Sequence, residues 1–162
     1  MIKMLVDDTL HQEIEKFDFD NPPINPSELT FDLAETMIAN NGMGLSANQI
    51  GLKHRVFVMT GAPILACFNP IIVDESKELI LLEEGCLSYP DLFIKITTPR
   101  RIKVRYTQPD NKVITRQFDD LSARIFQHEL DHLNGIDFRT RASKYYLNKA
   151  LKKQKKLNPH KA

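Results

Sequence analysis

The sequence contains no tryptophan, few glycines and two cysteines, and it has no long apolar run. Its apolar stretches stay well below the ~18 residues that a membrane span requires, so we expect no transmembrane helix. Two cysteines could form one disulfide, but nothing else indicates secretion, and we expect a reducing compartment. Acidic residues interrupt the first residues at once, which is unlike a signal peptide, and this favours a cytoplasmic location.

Apolar residues make up 42% of the chain and charged residues 27%, as in ordinary globular proteins. Neither a repeat nor a linker is evident in the 162 residues, so we expect a single domain over 1–162. The charge is uneven, because residues 1–90 carry 14 acidic and 5 basic side chains and residues 91–162 carry 7 and 17. The basic end is either a solvated helix face, which we favour slightly, or a contact for nucleic acid.

Three segments show the helical spacing of apolar residues. The first follows a proline-rich loop, with Ser27 as the expected N-cap, and it ends near Gly42. The second covers about 121–134, and the third is a basic helix over about 143–157. The docking face of this third helix is expected to include Leu147, Leu151 and Leu157.

The middle of the chain has the short, branched-apolar pattern of β-strands. The expected strands are 55–60, 71–73, 79–82, 101–106 and 112–118, and turn residues between the last two predict a hairpin. This order of elements predicts an α+β fold, in which antiparallel sheets pack around the central helix and a further helix ends the chain.

The central helix carries the pattern HExxH at residues 128–132. Side chains four positions apart share one helix face, so His128 and His132 can bind one metal ion, and Glu129 can reach a water on it. The alternative is a solvated helix with two exposed histidines. The third ligand of metzincins would fall at Phe138, which cannot bind a metal, and no glutamate follows Glu129 to serve as in thermolysin-like enzymes.

A third ligand must therefore come from upstream, and Cys86 is the best candidate. It follows a predicted strand, and the adjacent Gly85 allows backbone to come close to the site. A thiolate is a strong ligand for Zn²⁺ or Fe²⁺. The rival, Cys67, lies in an apolar stretch and is expected to be a small buried core residue.

Three motifs together resemble the peptide deformylase family. Residues 42–49 (GMGLSANQ) are similar to the family's GxGLAAxQ segment, residues 84–88 are its EGCLS, and residues 127–133 (QHELDHL) match its QHExDHL. Their order and spacing agree over about 29–140. Three departures occur. The segment before Ser27 is short and lacks the family's usual Asp-Pro-x-Leu opening. Ser46 stands where alanine is common, which we expect to be harmless, and Phe93 stands where many members carry an arginine near the substrate entrance.

The resemblance implies a hydrolase that removes the N-formyl group from the N-terminal formylmethionine of nascent polypeptides. Cys86, His128 and His132 would hold the ion, and metal-bound hydroxide would attack the formyl carbon with Glu129 as general base and then acid. The Gln49 amide and the Leu87 backbone N–H would stabilise the oxyanion. Main-chain pairing with the peptide is expected at two glycines. A methionine pocket is expected at three apolar residues, with an arginine at its edge. These six positions are Gly44, Gly85, Met43, Leu121, Arg124 and Ile125.

Core packing is the alternative for the apolar pocket residues. One thiolate and two imidazoles suit Fe²⁺, Zn²⁺, Ni²⁺ and Co²⁺ alike, and the family implies Fe²⁺ as the native ion. The resemblance also implies formylmethionyl peptides as substrate and a ribosome contact through the basic helix. Nothing in the sequence demands more than a monomer, and we expect one. The source could be a bacterium, an organelle or a bacterial virus. Two alternatives stay open: a peptidase that uses HExxH, and an RNA-binding protein with a structural metal.

Overall fold

The computed structural model describes residue 4 and residues 8–158. The helices are α1 (Pro26–Ala39), α2 (Asp120–Leu133) and α3 (Lys144–Leu157). The strands are β1 (Gly44–Ser46), β2 (Val56–Met59), β3 (Leu65–Glu75), β4 (Leu79–Cys86), β5 (Tyr89–Pro99), β6 (Arg101–Thr107) and β7 (Val113–Asp119). Short 3-10 helices span Asp8–His11, Ala47–Ile50 and Phe138–Arg141.

The N-cap of helix α1 lies two residues before the expected position, at Asn25. The side chain of Asn25 accepts hydrogen bonds from the backbone N–H groups of Ser27 at 2.9 Å and Glu28 at 3.2 Å. Pro26 occupies the first helical position, where its missing N–H costs nothing. The prediction of Ser27 as the N-cap was therefore wrong, because proline starts the helix before it.

Five strands form an antiparallel sheet in the order β1-β2-β3-β6-β7, and β4 and β5 form a separate antiparallel pair. The predicted hairpin of β6 and β7 is confirmed, with Arg101 opposite Asp119. Strand β5 was not predicted, although its buried residues alternate strictly. These residues are Leu92, Ile94 and Ile96. The α+β fold with a central HExxH helix and a C-terminal helix is confirmed.

Helix α2 lies between the two sheets. Its apolar side packs on the five-stranded sheet, where the rings of Phe126 and Phe57 lie edge to face with centroids 5.0 Å apart. Its polar side faces β4, to which Arg124 and His128 are joined through hydrogen bonds to Glu84. The helix therefore holds its HExxH residues against the end of the smaller sheet.

Helix α3 packs on β5 through a small apolar cluster that includes Leu147 and Leu151. Leu157 is 60% exposed, so its predicted place on the docking face was wrong. The exposed side of α3 carries Lys152, Lys153, Lys155 and Lys156. Among the residues that the structure describes, no helix combines the length and apolar character needed to cross a bilayer.

Candidate metal centre

Three predicted ligands converge where β4 meets α2. His128 and His132 lie one helical turn apart, with ring centroids separated by 4.9 Å. Cys86 is the last residue of β4, and its Sγ lies 3.2 Å from Nε2 of His132. One ligand atom from each of the three side chains lies within 4.8 Å of the others. A strand end and one helix face thus supply a Cys/His/His group.

These separations suit a single ion. Zinc lies about 2.3 Å from a thiolate and about 2.0–2.1 Å from an imidazole, which puts neighbouring ligand atoms roughly 3.5 Å apart in a tetrahedral site. Three protein ligands leave a fourth position for water or substrate, as in catalytic centres. The other cysteine, Cys67, is fully buried in the core, and burial raises the pKa of its thiol far above the ordinary value. Its predicted role as a core residue agrees with this placement.

The two histidines differ in protonation. Burial and, to a smaller extent, the neighbouring His128 lower the pKa of His132 to about 3, so His132 is neutral at neutral pH and can donate a lone pair. Burial opposes protonation of His128 too, but hydrogen bonds with Cys86 and Glu84, together with the nearby charges of Glu129 and Cys86, outweigh burial and raise its pKa well above the ordinary value. A metal ion competes with that proton, because histidine binds metals in its neutral form.

Glu84 lies beside the ligand group and forms a hydrogen bond with one of its histidines. Its Oε1 lies 2.9 Å from Nδ1 of His128, and its Oε2 accepts from Nη1 of Arg124 at 2.6 Å. Burial opposes the charge of Glu84, but His128 and Arg124 outweigh burial and lower its pKa. The sequence had suggested no role for Glu84. Its position two residues before Cys86 was the available signal, since alternate residues of a strand share one face.

Glu129 is buried beside the ligand group, with 4% of its surface exposed. Its Oε2 accepts a hydrogen bond from Oγ of Ser46 at 2.6 Å, and burial raises the pKa of its carboxyl group. A Cβ on Gly44 would lie 2.4 Å from Oε1 of Glu129, so the carboxylate occupies the space that this glycine leaves. Ser46, expected to be a neutral replacement for alanine, is thus a direct partner of Glu129.

Gln49 is also buried and points its amide nitrogen at the ligand group. Its Oε1 accepts from the backbone N–H of Ser46 at 2.9 Å. Its Nε2 donates to Oγ of Ser88 at 3.2 Å and to Sγ of Cys86 at 3.6 Å. The sequence had suggested no role for Ser88, which fixes the amide orientation. Leu87, between Cys86 and Ser88, lines the adjoining cavity.

A cavity of about 470 Å³ opens beside His128 and Glu129. Met43 and Leu121 lie at its rim, 52% and 50% exposed, so neither is an ordinary core residue, whereas Ile125 is 8% exposed and also belongs to the core. Arg124 lines the cavity, but its guanidinium is bonded to Glu84 and to two backbone carbonyls. All six residues predicted to contact substrate line this cavity: Met43, Gly44, Gly85, Leu121, Arg124 and Ile125.

Two strand edges border the same cavity. Within the described part of the chain, β1 pairs only with β2 and β4 pairs only with β5, so each leaves one edge unpaired. Gly44 lies on β1 and Gly85 on β4, and both line the cavity. An extended peptide can form main-chain hydrogen bonds with edges of this kind.

A helix with HExxH, a strand-borne cysteine and a buried glutamate beside an open cavity define a metallohydrolase-type centre. The chain matches the family model described as polypeptide deformylase over residues 1–147, and it belongs to this family.

Comparison with an individual relative agrees with this membership. The chain is 43% identical to the peptide deformylase of Thermotoga neapolitana over 105 residues, which are 64% of this chain and 64% of that protein. The matched part thus spans less than two thirds of the length of that relative.

Solved structures resemble the fold over most of its length. The first is a peptide deformylase from Synechococcus elongatus in complex with actinonin, with a TM-score of 0.85 and 30% identity over 95% of this chain and 86% of that one. The second is a class I type b peptide deformylase from Acinetobacter baumannii with Met-Ala-Ser bound. Its TM-score is 0.80, and its identity is 30% over 87% of this chain and 96% of that one.

Proposed function

We propose that this chain is a peptide deformylase that removes the N-formyl group from the N-terminal formylmethionine of nascent polypeptides. The observation that carries the proposal is the convergence of Cys86, His128 and His132 beside the buried Glu129, at the side of a cavity bordered by two unpaired strand edges. Membership of the polypeptide deformylase family supports the same reaction.

Cys86, His128 and His132 would hold one divalent ion. Such an ion would act as a Lewis acid and would lower the pKa of a water bound to it from about 15.7 towards 7. Glu129 accepts the proton of the attacking water and later passes it to the leaving amine. Burial, which raises the pKa of Glu129, suits a carboxyl group that must hold a proton between these two steps. The products are formate and a free amino terminus.

Negative charge would develop on the formyl oxygen during attack, and two donors would stabilise it. One is the Gln49 amide, whose Nε2 already faces Cys86 and is oriented by Ser46 and Ser88. The other is the backbone N–H of Leu87. Removal of one donor of this kind typically lowers the rate by about 10²–10³.

The rest of the substrate would lie along the cavity. Gly44 and Gly85 allow the peptide backbone to pair with the edges of β1 and β4, as an added strand. Met43, Leu121 and Ile125 form the apolar surface that would receive the methionine side chain. The structure of the relative from A. baumannii, which has Met-Ala-Ser bound, supports a peptide of this kind as the ligand.

The remaining features of the proposal concern the metal and the surroundings of the chain. We propose Fe²⁺ as the native ion, with Zn²⁺, Ni²⁺ or Co²⁺ as working substitutes, because the ligand set accommodates all four. We also propose that residues 1–162 form one monomeric domain in a bacterial-type cytosol, an organelle or a virus-infected bacterial cell. The exposed lysines of α3, among them Lys152, Lys153, Lys155 and Lys156, would contact ribosomal RNA, and this contact should weaken steeply with salt.

The reaction can be tested with formyl-Met-Ala-Ser and the full chain, loaded anaerobically with Fe²⁺. Formate release should be rapid in the parent and should fall by about 10²–10⁴ in Glu129→Gln, which keeps size but cannot exchange the proton. Glu83→Gln is the matched control, because Glu83 is an exposed acidic residue of the same cavity. Its turnover should stay close to that of the parent.

Metal content, measured for each variant, separates chemistry from metal loss. The proposal fails if the metal-loaded parent releases no formate from this peptide, or if Glu129→Gln keeps full turnover.

A further inference from the structure

We propose that Arg124 is a positioning residue of the metal centre, which acts through Glu84 to hold His128 in its metal-binding orientation. The sequence suggested a contact of Arg124 with substrate. Its guanidinium is instead engaged away from solvent, with 3% of the side chain exposed. This inference rests on the metal centre of the proposed function and assigns to it a residue outside its ligands.

The residue spacing on helix α2 and on strand β4 explains why these side chains meet. Arg124 and His128 are four residues apart on α2 and therefore lie on one face, one turn from each other. Glu84 and Cys86 are two residues apart on β4 and share its face towards α2. The two oxygens of Glu84 bridge the helix turn, with Oε2 on Arg124 at 2.6 Å and Oε1 on His128 at 2.9 Å. A carboxylate on the far nitrogen of a ligating histidine fixes its tautomer and ring orientation.

Arg124 also joins the helix to both strands of the smaller sheet. Its Nη1 donates to the backbone carbonyl of Ile96 on β5 at 2.8 Å, and its Nη2 donates to that of Ile80 on β4 at 2.9 Å. One guanidinium thus sets the position of β4 relative to α2. Because Cys86 ends β4 and the histidines lie on α2, the same contacts set the separation between the sulfur and nitrogen ligands.

Stability alone explains this arginine poorly. A buried ion pair is often no more stabilising than apolar residues of similar size. The Nε of Arg124 is buried without a hydrogen-bond partner among the described residues, which adds a cost. A pocket for a methionine side chain would be served by an apolar residue at this position. Arg124 fixes the orientation of the two Glu84 oxygens through its hydrogen bond, which an apolar residue could not do.

Metal affinity tests the inference directly. Co²⁺ is titrated into the metal-free full chain, and binding is followed through the visible absorption of the cobalt–thiolate centre. Loss of such supporting residues typically costs about 10–100-fold in metal affinity, and we expect this increase in Kd for Arg124→Met. Arg124→Lys keeps the charge and should recover part of the affinity. It also serves as the test variant if Arg124→Met does not fold.

Arg55 provides a matched control. Arg55 is also a buried arginine, with 8% of its surface exposed. It donates hydrogen bonds to the backbone carbonyls of Ile14 and Leu133 and to the side chain of Asn134. It anchors the end of α2 without contacting a metal ligand. Arg55→Met should lower the thermal midpoint but leave the Kd for Co²⁺ within a factor of about two to three, because sites without shared partners act nearly independently.

A double-mutant cycle shows whether Arg124 acts through Glu84. In a Glu84→Gln background, Arg124→Met should change the Kd far less than in the parent, because contacting residues that act together are not additive. Equal fold-changes in both backgrounds, or a parent-like Kd in both Arg124 variants, would overturn the inference. A parent chain that binds no Co²⁺ would instead refute the metal centre itself, and with it the inference.

Discussion

Substitution of Gly44 by alanine should displace the buried carboxylate of Glu129, the proposed general base, while leaving Glu129 itself unchanged in sequence. The added Cβ would lie 2.4 Å from Oε1 of Glu129 and 2.8 Å from its Cγ, whereas ordinary contacts begin near 3.4 Å. The carboxylate must therefore move by about 1 Å, and a misplacement of this size can cost about 10²-fold in rate. Overpacking of a well-packed site also costs about 1–3 kcal/mol.

Gly42→Ala is the matched control for this substitution. Its added Cβ would lie 2.8 Å from Cδ1 of Leu87, the far end of a flexible side chain that can move aside, and 3.2 Å from the backbone oxygen of Gly44, a small overlap. None of its three nearest atoms belongs to Glu129. We expect kcat/KM for formyl-Met-Ala-Ser to fall about 100-fold in Gly44→Ala and to change by a factor of about two to three in Gly42→Ala. Parent-like kcat/KM and thermal midpoint in Gly44→Ala would refute the steric reasoning.

Three further predictions concern stability and metal content. Ser46→Ala removes a hydrogen bond to a buried carboxylate, so the free energy of unfolding in urea should fall by about 1.5–3 kcal/mol, and an unchanged value would contradict this. Cys67→Ala should keep one metal per chain by atomic absorption, whereas Cys86→Ala should lose it; equal contents would be the contrary result. Burial opposes the charge of Asp137, but hydrogen bonds from Arg139 outweigh burial and lower its pKa. This stabilisation is present above the unfolded pKa of about 3.9 and is lost as pH falls through the lower folded pKa. Asp137→Asn should therefore destabilise the chain near neutral pH and have little effect in strong acid, and a pH-independent loss would be inconsistent.

The parts of the fold that depend on local periodicity could be predicted from the sequence. The i, i+4 spacing of His128 and His132 predicted their common helix face, and the turn between β6 and β7 predicted their hairpin. The polar/apolar alternation of Leu92, Ile94 and Ile96 carried the same kind of signal for β5, but Pro90 and the left-handed Asp91 interrupt its start.

The contacts that depend on packing between distant segments could not be predicted. Arg124 and Glu84 are separated by 40 residues, and their pairing arises only when α2 lies against β4. The bond from Ser46 to Glu129 spans 83 residues and appears only once β1 and α2 meet. No local sequence pattern links Arg124 with Glu84 or Ser46 with Glu129. The sequence therefore suggested substrate contact for Arg124 and a harmless change at Ser46.

X-ray absorption at the zinc edge of the Zn²⁺-loaded full chain tests the central claim most directly. We expect one ion per chain, with one sulfur ligand from Cys86 at about 2.3 Å and nitrogen ligands from His128 and His132 at about 2.0–2.1 Å. A bound ion with no sulfur ligand, or with more than one, would contradict the proposed centre.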